Sequence, residues 1–218
     1  MLHLVRLSAV LLWVINSSSV CAAAEYDGTL ESTVLITAPL GKVAAYASGV
    51  IVADRQTLVV LTAAHVAQLG NLTVITSLGE RLAVRATRII SGRDLALVET
   101  ERASYRYTTP ELAPADQVRQ DMHLWGFPRS NAPTRSDASI LSLQPAIPDG
   151  NPNGRFTIEC PSCDHGDSGA GVFTSDGRLV GILTSAWKNA QGVVLMIVVE
   201  PAVAAMGALG VSVTTASR

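Results

Sequence analysis

Residues 163–173 read CDHGDSGAGVF, with Gly166, Gly169 and Gly171 set around Ser168 and Asp167 directly before the serine. Glycine is used where the chain takes unusual dihedrals or where another group must approach the main chain closely. A plain turn meets the first condition. A site where another group comes up to the main chain beside Ser168 meets the second. A serine hydroxyl is a weak nucleophile and needs a base in hydrogen-bond reach and a third group to orient that base. The question passes to where the chain keeps its histidines and acids.

Histidines are few beyond the first residues: His65, His123 and His165. His65 stands in LTAAHV, straight after the strand-like TLVVLTA, and Asp94 opens DLALVE, an otherwise apolar run. Taken singly, His65 reads as a core or capping histidine and Asp94 as a solvated strand start. His165 reads as solvent-facing, and His123, taken to precede a strand, receives no role.

The surrounding pattern is a series of short β-rich runs divided by turn residues. STVLITA, AAYASGVIVA, TLVVLTA, NLTVITS, RLAVRATRII and DLALVET make the first group. Valine, isoleucine and threonine dominate, with the alternation of half-buried strands. Between Glu101 and Gln120 the pattern dissolves into a connection. MHLWGF, SILSLQ, RFTIEC, the hairpin AGVFTSDGRLVGILTSA and GVVLMIVVE make the second group, and RSNAPTRSDAS reads as a loop. PAVAAMGAL begins with proline and is rich in alanine, which suits a short C-terminal helix. Evenly spaced short strands in two groups predict an all-β sandwich or a pair of barrels.

The chain has 218 residues and a formal net charge of −2, which gives no electrostatic footprint for nucleic acid. A basic residue, the apolar run LSAVLLWVI and the small residues CAAA follow one another at the start, the order of a secretory signal peptide cleaved near Ala24. Cys21 raises a lipoprotein alternative, although SSV is a poor context for it. The apolar run is too short for a stable membrane span. Roughly 190 residues remain, enough for one large core or two small fused ones. The expected location is secreted or periplasmic. Cys160 and Cys163 then form a C-x-x-C, read as a disulfide or a buried thiol pair. A zinc site would need two more ligands nearby, so no metal and no cofactor is expected. Asn71-Leu72-Thr73 is a glycosylation sequon, with meaning only in a eukaryotic secretory route.

LTAAHV, DLALVE and GDSGAGVF, in that order and at those separations, resemble the trypsin-like serine peptidases. ASGVIV resembles the family's strand leading towards its histidine, LWGFP the glycine-containing strand of bacterial members, and GRLVGILTSA the strand lining the substrate cleft. The resemblance covers essentially the whole chain after residue 24. It implies two six-stranded antiparallel β-barrels, at 25–108 and 109–210, with a flexible tail over 211–218. It further implies a polypeptide substrate and a triad in which Ser168 attacks the scissile carbonyl, His65 is general base and then acid, and Asp94 orients the imidazole. The N–H groups of Gly166 and Ser168 would form the oxyanion hole, each such donor being typically worth about 3–4 kcal/mol of barrier. No Ile-Val-Gly-Gly-like start follows residue 24, so the chain resembles bacterial members that need no activating cleavage, and Asp167 is left without an evident partner.

By the same resemblance the primary pocket has Ser162 at its floor and Thr184, Ser185, Ala186 and Gly192 in its walls. Leu183 stands where members that cut after glutamate carry a histidine. A neutral pocket is implied, with preference for small to medium apolar residues, unless Asp164 turns into it. Two other functions fit the same features: a non-catalytic binding module on this fold, and an esterase or other acyl hydrolase using the same triad. Oligomeric state is not implied by any feature.

Overall fold

The computed structural model describes residues 28–55, 57–113, 121–130, 132–142, 155–186 and 193–198. A short helix α1 (Gly28–Ser32) leads into β1 (Thr33–Leu40), β2 (Val43–Asp54), β3 (Leu58–Thr62), α2 (Ala64–Ala67), β4 (Thr73–Ile75), β5 (Arg81–Ile90) and β6 (Leu95–Thr100). The second half holds β7 (Met122–Gly126), β8 (Thr134–Ser142), β9 (Arg155–Glu159), β10 (Gly171–Thr174), β11 (Leu179–Ala186) and β12 (Val193–Val198). Each set of six closes into an antiparallel barrel, in the orders β1-β2-β3-β6-β5-β4 and β7-β8-β9-β12-β11-β10. The two halves thus repeat one strand order. Closure leaves no unpaired sheet edge among the described strands.

Why the strands are read so easily from the sequence is visible in β2. Residues 47–53 (Ala-Ser-Gly-Val-Ile-Val-Ala) are all buried. Successive side chains of a strand point to opposite faces. Ile51 therefore joins the first barrel's interior with Val34, Ile36, Val60, Val74 and Val98. Val50 and Val52 face the other way, into a cluster with Leu61, Leu95 and Leu97 and with Leu112, Phe173, Leu179 and Ile182 of the second half. The barrels are therefore joined through an apolar seam, and strands along it are continuously hydrophobic because both faces are covered. The second barrel has its own interior of Met122, Leu124, Ile158, Val172 and Val180. The chain crosses between barrels as a connection whose Leu112 bridges Leu179 in parallel.

Two expectations need correction. RSNAPTRSDAS is not all loop: β8 begins at Thr134 and pairs with β7 in the register Met122↔Ala138, Leu124↔Ser136, Gly126↔Thr134. Over 135–138, exposed Arg135 and Asp137 alternate with buried Ser136 and Ala138. The alternation of a strand is present, but small and polar residues carry it, so hydrophobicity does not reveal it. His123 does not precede a strand; it lies within β7, almost fully buried, with its ring 5.8 Å from that of Phe173. Helix α1 had no counterpart in the sequence reading. The segments expected to be a signal peptide, a C-terminal helix and a tail fall outside the described residues, and no described helix is long and apolar enough to cross a membrane.

Candidate active site

His65 sits in the single turn of α2, directly beyond the buried end of β3, and Asp94 in the turn that enters β6. Strands β3 and β6 are neighbours paired Thr62↔Ala96, so their adjoining segments meet at one end of the first barrel. There Asp94 accepts two hydrogen bonds from one residue: the His65 backbone N–H at 3.0 Å on Oδ1 and the His65 Nδ1 at 2.9 Å on Oδ2. Partial burial pushes the Asp94 carboxyl upward, but these bonds outweigh it and hold the group below its ordinary value. An ionised carboxylate only accepts. Nδ1 must therefore carry the proton, and in the neutral ring Nε2 is left as an acceptor. The imidazole side chain is half exposed, so that acceptor is reachable from solvent.

Ser168 comes from the other barrel, on the loop between β9 and β10. The loop is fastened once across the seam and once within its own barrel. The Ser48 N–H of β2 donates to the Ser168 carbonyl at 2.8 Å, and the Gly169 N–H donates to the Leu183 carbonyl at 2.6 Å. Thr62, three residues before His65, donates its hydroxyl to the Ser48 carbonyl at 2.7 Å. Gly169 has φ +89°, and a Cβ there would overlap both the Ser48 carbonyl and the Thr62 hydroxyl. This close approach brings the serine loop against the end of the strand that presents His65, and only glycine allows it.

Gly166 is buried, with φ +105°, and a Cβ on it would overlap the carbonyl oxygen of Phe127. The carbonyl of His165 accepts the Arg129 N–H at 2.7 Å. Arg129 itself has a left-handed backbone, φ 57°, in the short 3-10 turn Pro128–Ser130. Among the described residues neither the Gly166 N–H nor the Ser168 N–H donates to a protein acceptor. Two open donors on either side of Asp167 are what an anion-binding loop requires.

Asp167 is buried, and its Oδ2 accepts the Asp164 N–H at 2.9 Å. Its Oδ1 is enclosed against Gly126 with no partner among the described residues. Burial pushes this carboxyl up, the Asp164 N–H pulls it down and the Asp164 charge pushes it up again, leaving it at about 6. Asp164 is held low by the His165 N–H and by Arg129, whose Nε lies 2.7 Å from its Oδ2.

The predicted specificity residues are scattered in character. Ser162 is exposed in the turn between Cys160 and Cys163, which are joined as a disulfide. Thr184 is buried in β11, which also carries Ser185 and Ala186, and Gly192 lies outside the described residues. His165 is exposed beside Gly166. No group of His, Cys, Asp and Glu suited to a metal occurs among the described residues. The sequence reading overlooked Ser48, Thr62 and the Phe127–Arg129 turn. Ser48 had a legible signal: a serine inside a fully apolar strand must find partners for its hydroxyl.

Residues 47–182 match the family model of the trypsin-like peptidase domain. The match spans more than half of the chain, which belongs to that family and is a serine-type peptidase acting on polypeptide. No curated protein matches it in sequence. Its fold is similar to crystal structures of the Rv3671c protease of M. tuberculosis. For the active form the identity is 20% and the TM-score 0.68, covering 86% of this chain and 85% of that one. For an inactive form the values are 19% and 0.65, covering 84% and 90%.

Proposed function

We propose that this protein is a secreted or periplasmic serine endopeptidase that works through Ser168, His65 and Asp94 and a covalent acyl-enzyme. The observation that carries the reading is the double hydrogen bond from His65 to Asp94, which fixes the ring with Nε2 as the available base. Ser168 Oγ adds to the scissile carbonyl as its proton passes to His65 Nε2. The carbonyl oxygen, now anionic, lies against the N–H groups of Gly166 and Ser168. Collapse of the tetrahedral adduct expels the amine, which takes the proton from His65. Water then adds to the acyl carbonyl as it loses a proton to His65, and collapse releases the acid while His65 returns that proton to Ser168 Oγ.

Ser162, Thr184, Ser185, Ala186 and Gly192 form the neutral primary pocket in this reading. Engagement of Asp164 by Arg129 and by the His165 N–H supports it, since a carboxylate so held is not free to serve as counter-ion for a basic side chain. A lysine or arginine buried there without a partner would cost several kcal/mol. Cleavage after small to medium apolar residues follows, with modest discrimination of about 1–3 kcal/mol per methylene.

The decisive test is a fluorophosphonate label. It is expected on Ser168 of the wild-type protein and absent from Ser168→Ala; no label on a folded wild-type protein rejects the site. Peptides that differ only in Val, Leu, Phe, Lys, Arg or Glu before the scissile bond test the pocket, and faster turnover of Lys or Arg rejects its neutrality. Intact mass of the native protein is expected to start near Glu25; a mass that retains residues 1–24 rejects export by cleavage.

A further inference from the structure

Ser48 is fully buried at the seam between the barrels, and all four of its polar functions are used across or beside that seam. Its N–H donates to the Ser168 carbonyl, and its carbonyl accepts the Thr62 hydroxyl. Its own hydroxyl donates to the Gly166 carbonyl at 2.7 Å and accepts the Phe127 N–H at 3.0 Å. A hydroxyl offers one donor and two acceptor lone pairs. One side chain of the first barrel therefore binds both loops of the second barrel that shape the region around Ser168.

The bond to Gly166 has a specific mechanical effect. A peptide unit is planar and trans, so its C=O and N–H point in opposite directions. The Arg129 N–H holds the His165 carbonyl, which orients the peptide carrying the Gly166 N–H. The Ser48 hydroxyl holds the Gly166 carbonyl, which orients the next peptide. Gly166 stands between the two anchored units, and as glycine it has no steric preference of its own to keep its dihedrals. The second anchor is also tied to the first, because Phe127, whose N–H Ser48 accepts, lies two residues before Arg129.

We propose that the Ser48 hydroxyl is a positioning residue for the peptidase reaction: by clamping the Gly166 carbonyl from the opposite barrel, it keeps the Gly166 N–H aimed at the developing oxyanion. It touches no substrate and acts through the Gly166 carbonyl, with the Phe127 N–H as its second partner. The inference rests on the assignment of Ser168 and Gly166 given above. Its consequence is that the oxyanion site is complete only while β2 is docked on the second barrel.

The experiment compares Ser48→Ala, the nearly isosteric Ser48→Cys and the hydroxyl-retaining Ser48→Thr with the wild-type chain. Val74→Ala serves as a control that loosens the first barrel's interior away from Ser48. Each is assayed well below its melting temperature. The readouts are kcat and KM for one cleavable peptide, and the affinities of the matching peptide aldehyde and peptide alcohol. Only the aldehyde forms a tetrahedral oxyanion with Ser168. Removing an oxyanion donor outright costs about a hundred- to a thousandfold in kcat, so misaiming it is expected to cost about ten- to a hundredfold. That loss should appear in Ser48→Ala and Ser48→Cys in kcat and aldehyde affinity alike. KM and alcohol affinity should stay within about threefold, and Ser48→Thr should recover most of the loss.

Val74→Ala should lower the melting temperature without moving the ratio of aldehyde to alcohol affinity. Should Ser48→Ala fail to fold, Ser48→Cys carries the same criteria. An unchanged kcat in a folded Ala or Cys variant, an equal fall in aldehyde and alcohol affinity, or the same ratio change in Val74→Ala overturns the proposal. A wild-type protein that neither takes a fluorophosphonate on Ser168 nor binds the aldehyde overturns the site assignment, and the proposal with it. Labelled wild type with unaffected Ser48 variants overturns the proposal alone.

Discussion

Asp94 and Asp167 are two aspartates in two environments, and they behave oppositely. The first is half open, accepts two hydrogen bonds from His65 and stays ionised. The second is enclosed, with one oxygen unpartnered among the described residues, and sits at about 6. A carboxyl raised in the folded state holds its proton longer there than in the unfolded chain. Below its ordinary value of 3.8 both states are protonated and nothing is lost. As pH rises from about 4 to 6 only the unfolded state ionises, so stability falls; above about 6 the loss is constant, at roughly 3 kcal/mol. Asp167→Asn removes the titration while keeping an acceptor for the Asp164 N–H. Thermal unfolding across pH 4–8 should show the variant matching wild type near pH 4 and exceeding it by about 1–3 kcal/mol at pH 7–8. A difference that does not depend on pH would reject this origin.

A second prediction at this scale concerns His65 and Ser168. If they act as one unit, His65→Ala and Ser168→Ala each nearly abolish turnover, and the double variant is little worse than either. Single-turnover assays of the three folded variants decide it; losses that multiply would separate the two residues.

Among the elements, the loop between β9 and β10 concentrates the constraints. Gly166→Ala places a Cβ on the Phe127 carbonyl at a φ of +105° that L side chains rarely adopt. The loop must shift to accommodate it, and the Gly166 N–H moves with it. The expected result is a kcat at least about a hundredfold lower, comparable to removal of an oxyanion donor, with a circular dichroism spectrum unchanged because the barrel strands lie outside the loop. A variant with near-normal kcat would show that the Gly166 N–H does not serve the reaction. The local sequence marks this loop well, since glycines and turn residues gather there. Other elements are less legible. The first half of strand β8 buries Ser136 and Ala138, so no hydrophobic alternation announces it and only SILSLQ marks the strand, whereas β3 and β6 are marked along their length by valine and leucine.

In the molecule as a whole, the apolar seam decides whether the two halves of the proposed site face each other. The His65–Asp94 pair belongs to the first barrel and Ser168 to the second, and the side chains that hold these together are Val50, Val52, Leu61, Leu95 and Leu97 against Leu112, Phe173, Leu179 and Ile182. Phe173 is fully buried there and five residues beyond Ser168. Phe173→Ala should cost about 3–5 kcal/mol through lost transfer energy and the cavity left behind. Chemical denaturation with urea measures it, and a cost below about 1 kcal/mol would mean that the seam is not a packed core.

The sequence by itself determined the class of fold and the residues that could do chemistry. Strand periodicity is a local property, written in Val, Ile and Thr at alternating positions, and the motifs around His65, Asp94 and Ser168, bland when taken singly, gain meaning from their order and separations along the chain. Tertiary structure alone decided how they are held. That Asp94 takes both His65 donors, that Ser48 spans from β2 to Gly166, and that Asp167 is closed in against Gly126 all depend on groups dozens of residues apart. A hydrogen bond across a seam leaves no periodic trace in either strand. Ser48 in its apolar run signals that a partner exists, but only the docking of one barrel on the other fixes the Gly166 carbonyl as that partner, because the meeting of the two is set by packing and not by spacing along the chain.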